Sequence, residues 1–167
     1  MTSPRYVLTY ETPYGRGHVV HDGRRVLRVA PPGTEPPPLP EKDFRRLRER
    51  LERYFRGERE DFSDVPVRLP DAPIHRAVLS EVRRVGYGEV KTYGELAERV
   101  GTHPRVVGQA LARNETPIIV PCHRVVGARG LGGFRWGLRW KRRLLRLEGA
   151  LARTGSGPGR SSSSGSG

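Results

Sequence analysis

Thiol chemistry is nearly absent from this chain of 167 residues, which holds one cysteine, Cys122. A single thiol cannot close an internal disulfide or build a cysteine metal cage, so the chain reads as one for a reducing cytoplasm. Long apolar runs are lacking too. No stretch approaches the ~18 consecutive apolar residues of a membrane span, and Met1 to Tyr10 lacks the apolar centre of a secretory signal. Acids are scarce: 18 against 31 Lys and Arg, a formal net charge of +13. Hydrophobic residues make up 35%, enough for one domain, or for one small and one medium domain packed together.

The basic excess is concentrated. Residues 101–150 hold ten basic side chains and two acidic ones, Glu115 and Glu148, a net of 10 − 2 = +8. Such a patch favours a polyanion, most simply nucleic acid. An arginine-rich surface kept for solubility would have the same composition. The cysteine lies in this half, in Pro121-Cys122-His123-Arg124-Val125, directly after the apolar Ile118-Ile119-Val120. It reads either as a small buried hydrophobe at the end of a strand or as a nucleophile whose pKa a neighbour lowers, with His123 the first candidate.

Along the chain, residues 5–10, 18–21 and 25–29 are rich in Val, Tyr and Leu. The turns Pro13-Tyr14-Gly15 and Asp22-Gly23 divide them, which predicts a three-stranded antiparallel meander. Residues 30–40 contain six prolines and predict an irregular loop. Asp43 is expected to cap a helix carrying Phe44, Leu47, Leu51, Tyr54 and Phe55 and ending at Gly57. A second helix is expected to present Ile74, Ala77, Val78, Val82 and Val85 on one face. Thr92 can cap a third over 93–100, closed by Gly101; after a short turn, 105–113 form a fourth. Helix, tight turn, helix in a basic region is the helix-turn-helix pattern, although two helices merely packed on a core would read the same. The second helix carries small residues, Gly108, Ala110 and Ala112, which allow close backbone approach. Residues 127–137 form a glycine-rich loop with Phe134, Arg135 and Trp136 embedded, either a connection or a pocket wall. A final helix over 138–148 offers Leu138, Leu144, Leu145 and Leu147 to the core. The Gly/Ser-rich 153–167 reads as a disordered tail.

Taken together, Thr92-Tyr93-Gly94-Glu95-Leu96-Ala97, Arg105 to Leu111, Asn114, Ile118 to Val126, Gly132 to Gly137 and Lys141 to Gly149 resemble the O6-alkylguanine-DNA alkyltransferases, the methylated-DNA–protein-cysteine methyltransferase family. The resemblance runs from about Ile74 to Ala150. It implies an α+β fold in two parts: a small amino-terminal antiparallel sheet domain with a helix (1–70), and a mainly helical, winged-helix-like domain with a helix-turn-helix (71–152). It also implies direct, irreversible, single-turnover transfer of an alkyl group from O6-alkylguanine in double-stranded DNA to Cys122, possible for O4-alkylthymine also, by a cytoplasmic monomer.

The residue roles follow from the same resemblance. Cys122 matches the acceptor; His123 acts on it through an ordered water and Glu148 orients the histidine, together lowering the thiol pKa. Tyr93 matches the donor to guanine N3, the backbone N–H of Arg135 the donor to O6, and the carbonyls of Cys122 and Val125 acceptors for the exocyclic amine. Arg105 matches the arginine that fills the stack when the base is rotated out into the pocket from the minor groove. Asn114 braces the turn before the active-site segment. Thr92, Gly108, Gln109, Arg113, Arg124 and Phe134 complete the DNA and substrate contacts, with Arg113 and Arg124 on phosphates. Glu115 stands where proline is common and puts an acid near the DNA face. Arg135 and Trp136 are expected to make the pocket mouth bulky. Zinc ligands that some relatives carry have no cysteine counterpart here, so neither metal nor cofactor is expected. An alkyltransferase-like binder would lack the acceptor cysteine. A transcriptional regulator would leave Pro-Cys-His-Arg unexplained, and a Cys–His hydrolase would leave the basic patch idle.

Overall fold

The computed structural model describes residues 3–151, so the tail expected over 153–167 lies outside the described residues. Strands β1 (Tyr6–Thr12), β2 (Gly15–His21) and β3 (Val26–Ala30) form an antiparallel sheet in the order β1-β2-β3. Strand β2 is buried from Gly17 to His21, which fits a central strand covered on both faces. Helix α1 (Leu47–Phe55) buries Leu47, Leu51, Tyr54 and Phe55. It begins later than its apolar spacing predicts, because Arg45 and Arg46 have φ of 52° and 59° and interrupt the helix. Asp43 still accepts from the backbone N–H of Arg48 at 3.2 Å.

Helix α2 (Pro73–Val82) buries Val78, Leu79 and Val82. Its amino-terminal half departs from expectation: Ile74 is exposed, as is Ala77. The two-residue strand β4 (Lys91–Thr92) leads into α3 (Tyr93–Val100). Here the sequence signal is complete. The Thr92 hydroxyl accepts from the Glu95 N–H at 3.0 Å, and Glu95 Oε1 accepts from the Thr92 N–H at 2.8 Å, a reciprocal cap that satisfies two otherwise orphaned donors. Gly101, at φ 85°, ends the helix in the left-handed conformation that glycine adopts without a Cβ clash. Helix α4 (Pro104–Ala112) follows after residues 101–103, with Pro104 in its first turn and the His103 imidazole accepting from the Arg105 N–H at 3.0 Å.

One correction concerns the segment around the cysteine. Ile118-Ile119-Val120 is not a strand; it runs through turns to a single 3-10 turn at Cys122–Arg124. Apolar β-branched composition suggested a strand, but only an isolated bridge, Pro117 to Val120, pairs there. Strand β5 (Val125–Val126) instead pairs in parallel with β4. Ile118 has φ 76°, a conformation costly for a β-branched side chain. It is held by burial on both sides of the segment. Ile118 and Ile119 join Leu8, Tyr10, Val19, Leu51, Tyr54 and Leu144 in one apolar cluster. Val120, Cys122 and Val125 join Val78, Leu96, Val107 and Leu111 in another. The first cluster therefore crosses the expected boundary at residue 70. Helix α5 (Leu138–Leu147) buries Lys141, Leu144 and Leu145, whereas Leu138, expected in the core, is exposed because it stands in the helix's first turn.

Candidate active site

Cys122 lies 3% exposed in the wall of a cavity of about 270 Å³ whose other walls are Tyr93, Gly108, Leu111, Ala112, Gly133, Phe134 and Arg135. Two other hollows are larger, about 380 and 590 Å³, but neither is lined by a cysteine. Helix α4 supplies one wall through its small residues, and the glycine loop the opposite one. Gly132 shows why that loop needs glycine. At φ 74° a Cβ there would stand 2.7 Å from the Tyr93 ring, so any side chain would push the tyrosine off the pocket. The Tyr93 hydroxyl accepts from the Gly133 N–H at 3.2 Å and keeps its proton free to donate into the cavity.

Asn114 follows the end of α4 and holds the thiol directly. Its Nδ2 donates to Cys122 Sγ at 3.1 Å and to the Val120 carbonyl at 3.0 Å, while Oδ1 accepts from Thr116 N–H at 3.1 Å. The contact with sulfur was not foreseen from the sequence. Despite this donor, burial pushes the thiol up to about 11, with Asn114 and the charge of Lys141 opposing it. The expectation that the relay lowers the resting thiol pKa is therefore corrected. At neutral pH the resting thiol is therefore protonated, and its proton must leave as the substrate is attacked.

The base is built on the neighbouring turn. His123 Nε2 lies 2.7 Å from Glu148 Oε2, and an ionised carboxylate only accepts, which assigns the hydrogen to Nε2 and a lone pair to Nδ1. Nδ1 is buried without a partner among the described residues. Burial keeps the imidazole below its ordinary value, outweighing the carboxylate beside it, so it rests as the neutral base. Burial works against the Glu148 carboxylate, but His123 and Arg124 outweigh it and hold the acid well below the usual range. Glu148 caps the carboxyl end of α5, and Arg124 grips it through Nε at 2.9 Å and Nη2 at 3.0 Å.

Arg124 therefore departs from its expected role on phosphates. It is 7% exposed, and its Nη1 donates to the Val85 carbonyl at 2.7 Å, because the buried carboxylate needs a buried cation. The exposed stripe of α4 is formed instead by Arg105, Gln109, Ala112 and Arg113, with Gly108 half-buried among them. Glu115 is paired with Arg135 at 3.3 Å, and Arg135 also donates to the Ala112 carbonyl at 2.8 Å, so the acid near this face is offset. Phe134 presents its edge to His123 at 6.1 Å. Trp136 packs on Phe134 and Trp140, at 5.9 and 5.8 Å, and does not line the cavity; Arg135 does.

The residue that sequence reasoning missed is Lys141. Fully buried, its ammonium donates to the carbonyls of Val125 at 2.6 Å, of Gly133 at 2.9 Å and of Leu131. It thus ties α5 to β5 and to the middle of the glycine loop, and the Val125 carbonyl expected to receive substrate already has one donor. Burial lowers the ammonium to about 8. Lys141→Met keeps the stem but strands three carbonyls, at about 1–3 kcal/mol for each that water cannot reach. The variant is expected to melt earlier and to transfer an alkyl group roughly tenfold or more slowly, read by calorimetry and single-turnover kinetics.

Comparison with known proteins places this geometry. Residues 73–150 match the family model of the 6-O-methylguanine DNA methyltransferase DNA binding domain. A methylated-DNA–protein-cysteine methyltransferase of Methanopyrus kandleri is 59% identical over 129 residues, which are 75% of this chain and 97% of the relative. The chain belongs to the methylated-DNA–protein-cysteine methyltransferase family. A second relative of that name, from Metallosphaera sedula, is 41% identical over 149 residues, 89% of this chain and 96% of its own. The structure of Mycobacterium tuberculosis OGT in complex with DNA superposes with a TM-score of 0.74 at 33% identity, covering 86% of this chain and 92% of that one.

Proposed function

We propose that this chain repairs O6-alkylguanine in double-stranded DNA by taking the alkyl group onto Cys122, irreversibly and once per molecule. The carrying observation is the placement of its one cysteine in the wall of a cavity fit for a flat base, beside a neutral histidine backed by a buried carboxylate. In the reaction the sulfur attacks the alkyl carbon and the carbon–O6 bond breaks. Its electron pair passes into the guanine ring, and the thiol proton goes through an ordered water to His123 Nδ1. Glu148 stabilises the imidazolium that forms. Tyr93 donates to guanine N3 and the Arg135 N–H to O6, offsetting charge on the leaving base. The product thioether is not a leaving group, and nothing in the chain would remove it.

The DNA face is the exposed stripe of α4, with α3 and α4 acting as the helix-turn-helix. Gly108 has open space where a Cβ would stand, so this helix can press close to the minor groove, while Arg113 and its basic neighbours meet phosphates and Gln109 and Thr92 lie alongside. Arg105, exposed in the first turn of α4, fills the place of the rotated base. Residues 1–70 brace the reactive segment and 71–152 carry DNA and chemistry, in a monomer working in the cytoplasm. Incubation with a duplex containing one O6-methylguanine is expected to add one methyl group per chain, mapped to Cys122 by mass spectrometry of its peptides. Turnover beyond one product per chain, or a methyl group elsewhere, would overturn the reading.

A further inference from the structure

Glu148 receives a hydrogen bond from across the molecule. Tyr54, on α1 in the amino-terminal part, donates its hydroxyl to Glu148 Oε2 at 2.5 Å, over a separation of 94 residues. This is the same oxygen that His123 and Arg124 contact, at 2.7 and 3.0 Å. Tyr54 is fully buried in an apolar cluster, with the rings of Phe55, Phe62 and Tyr87 edge-on to it. A phenylalanine would satisfy all of that packing. A hydroxyl in such surroundings is unfavourable unless it is bonded, and the carboxylate is its partner.

We propose that Tyr54 is a positioning residue of the relay, setting the basicity of His123 by sharing the charge of Glu148. The inference rests on the alkyl-transfer reading of the site. A carboxylate oxygen with fewer competing donors is a stronger acceptor for the imidazolium, so the tyrosine holds His123 less basic than Glu148 alone would make it. The other groups facing the pair are fixed. Arg124 comes from the 3-10 turn, the Gly88 N–H at 3.4 Å from the turn after α2, and Lys141 acts on His123 from α5. Tyr87 lies beside Glu148, with Arg59 and Arg124 over its ring at 5.1 and 5.9 Å. Burial and the carboxylate both hold the Tyr54 phenol protonated, so it acts as a donor at any working pH.

The test is the pH dependence of single-turnover methyl transfer from saturating duplex. The rate rises from acid as His123 loses its proton. Tyr54→Phe is expected to move that limb upward by about half to one pH unit, a loss of roughly three- to tenfold in rate on its acid side. Placing a fluorotyrosine at position 54, a more acidic phenol and a stronger donor, moves it downward. A residue that only fills space would not make the limb follow phenol acidity, so a limb unmoved by Tyr54→Phe, or moved upward by both changes, overturns the proposal. The His123 imidazole titration, followed by NMR in the same proteins, reads the coupling without any alkyl transfer. Wild-type protein that fails to transfer would count against the proposed function, while the titration still decides the role of Tyr54.

Discussion

Glu148→Ala is expected to cost about 3–5 kcal/mol of folding stability, the range for removing one partner of a buried ion pair, and to abolish useful alkyl transfer. Both effects come from the same carboxylate. Without it, the Arg124 guanidinium stays buried with no counter-charge, the Tyr54 hydroxyl loses its partner and His123 Nε2 is left unoriented. Glu148→Gln separates the two losses. It keeps a hydrogen-bonding group of similar shape and should retain part of the stability, but it cannot balance the imidazolium.

Acid unfolding gives an independent reading. The folded-state pKa of Glu148 is depressed below its ordinary 4.5. Its contribution is therefore complete above about pH 4.5 and is lost as pH falls toward the folded-state value. His123 is also depressed, from 6.5, so the unfolded chain takes up its proton first and stability starts to fall below about pH 6.5. Denaturant midpoints measured from pH 7 to 3 should decline for both proteins through His123, and below about pH 4.5 less steeply for Glu148→Gln, which has no carboxylate to protonate. A variant as acid-sensitive as wild type would mean that Glu148 does not carry the linkage.

Local signals made much of this molecule legible. The Thr92–Glu95 cap, Gly101, Pro104 and the small-residue face of α4 are short-range features whose physics is complete within a few residues. The meander was readable because its turns are marked by glycine and aspartate. What the sequence hid were facts decided by distant packing. Lys141 sits in a run of arginines that reads as a solvated helix face, and only the glycine loop folding over it makes it a buried tie. Arg124 counted as one more positive charge until Glu148 claimed it. Tyr54 fitted the apolar spacing of α1, which says nothing of where its hydroxyl ends. The pKa of Cys122 was misjudged for the same reason, since adjacency to His123 in sequence carries no information about burial.

Arg105→Ala is expected to slow repair of duplex DNA by roughly tenfold to a thousandfold, matching the few kcal/mol of unstacking that an inserted side chain offsets. The side chain stands exposed at the start of α4 and is not part of the cavity wall, so the pocket chemistry should survive its removal. Reaction of the same variant with free O6-benzylguanine, which needs no rotation out of a helix, should stay within a few-fold of wild type. The cavity wall includes Phe134 and Arg135, while Trp136 packs on Trp140 and is not part of it. Cys122→Ser, by contrast, should lose both reactions. Comparing the two substrates side by side isolates extrusion from chemistry. Equal impairment of duplex and free base would show that Arg105 supports the fold or the pocket rather than the vacated place in the stack.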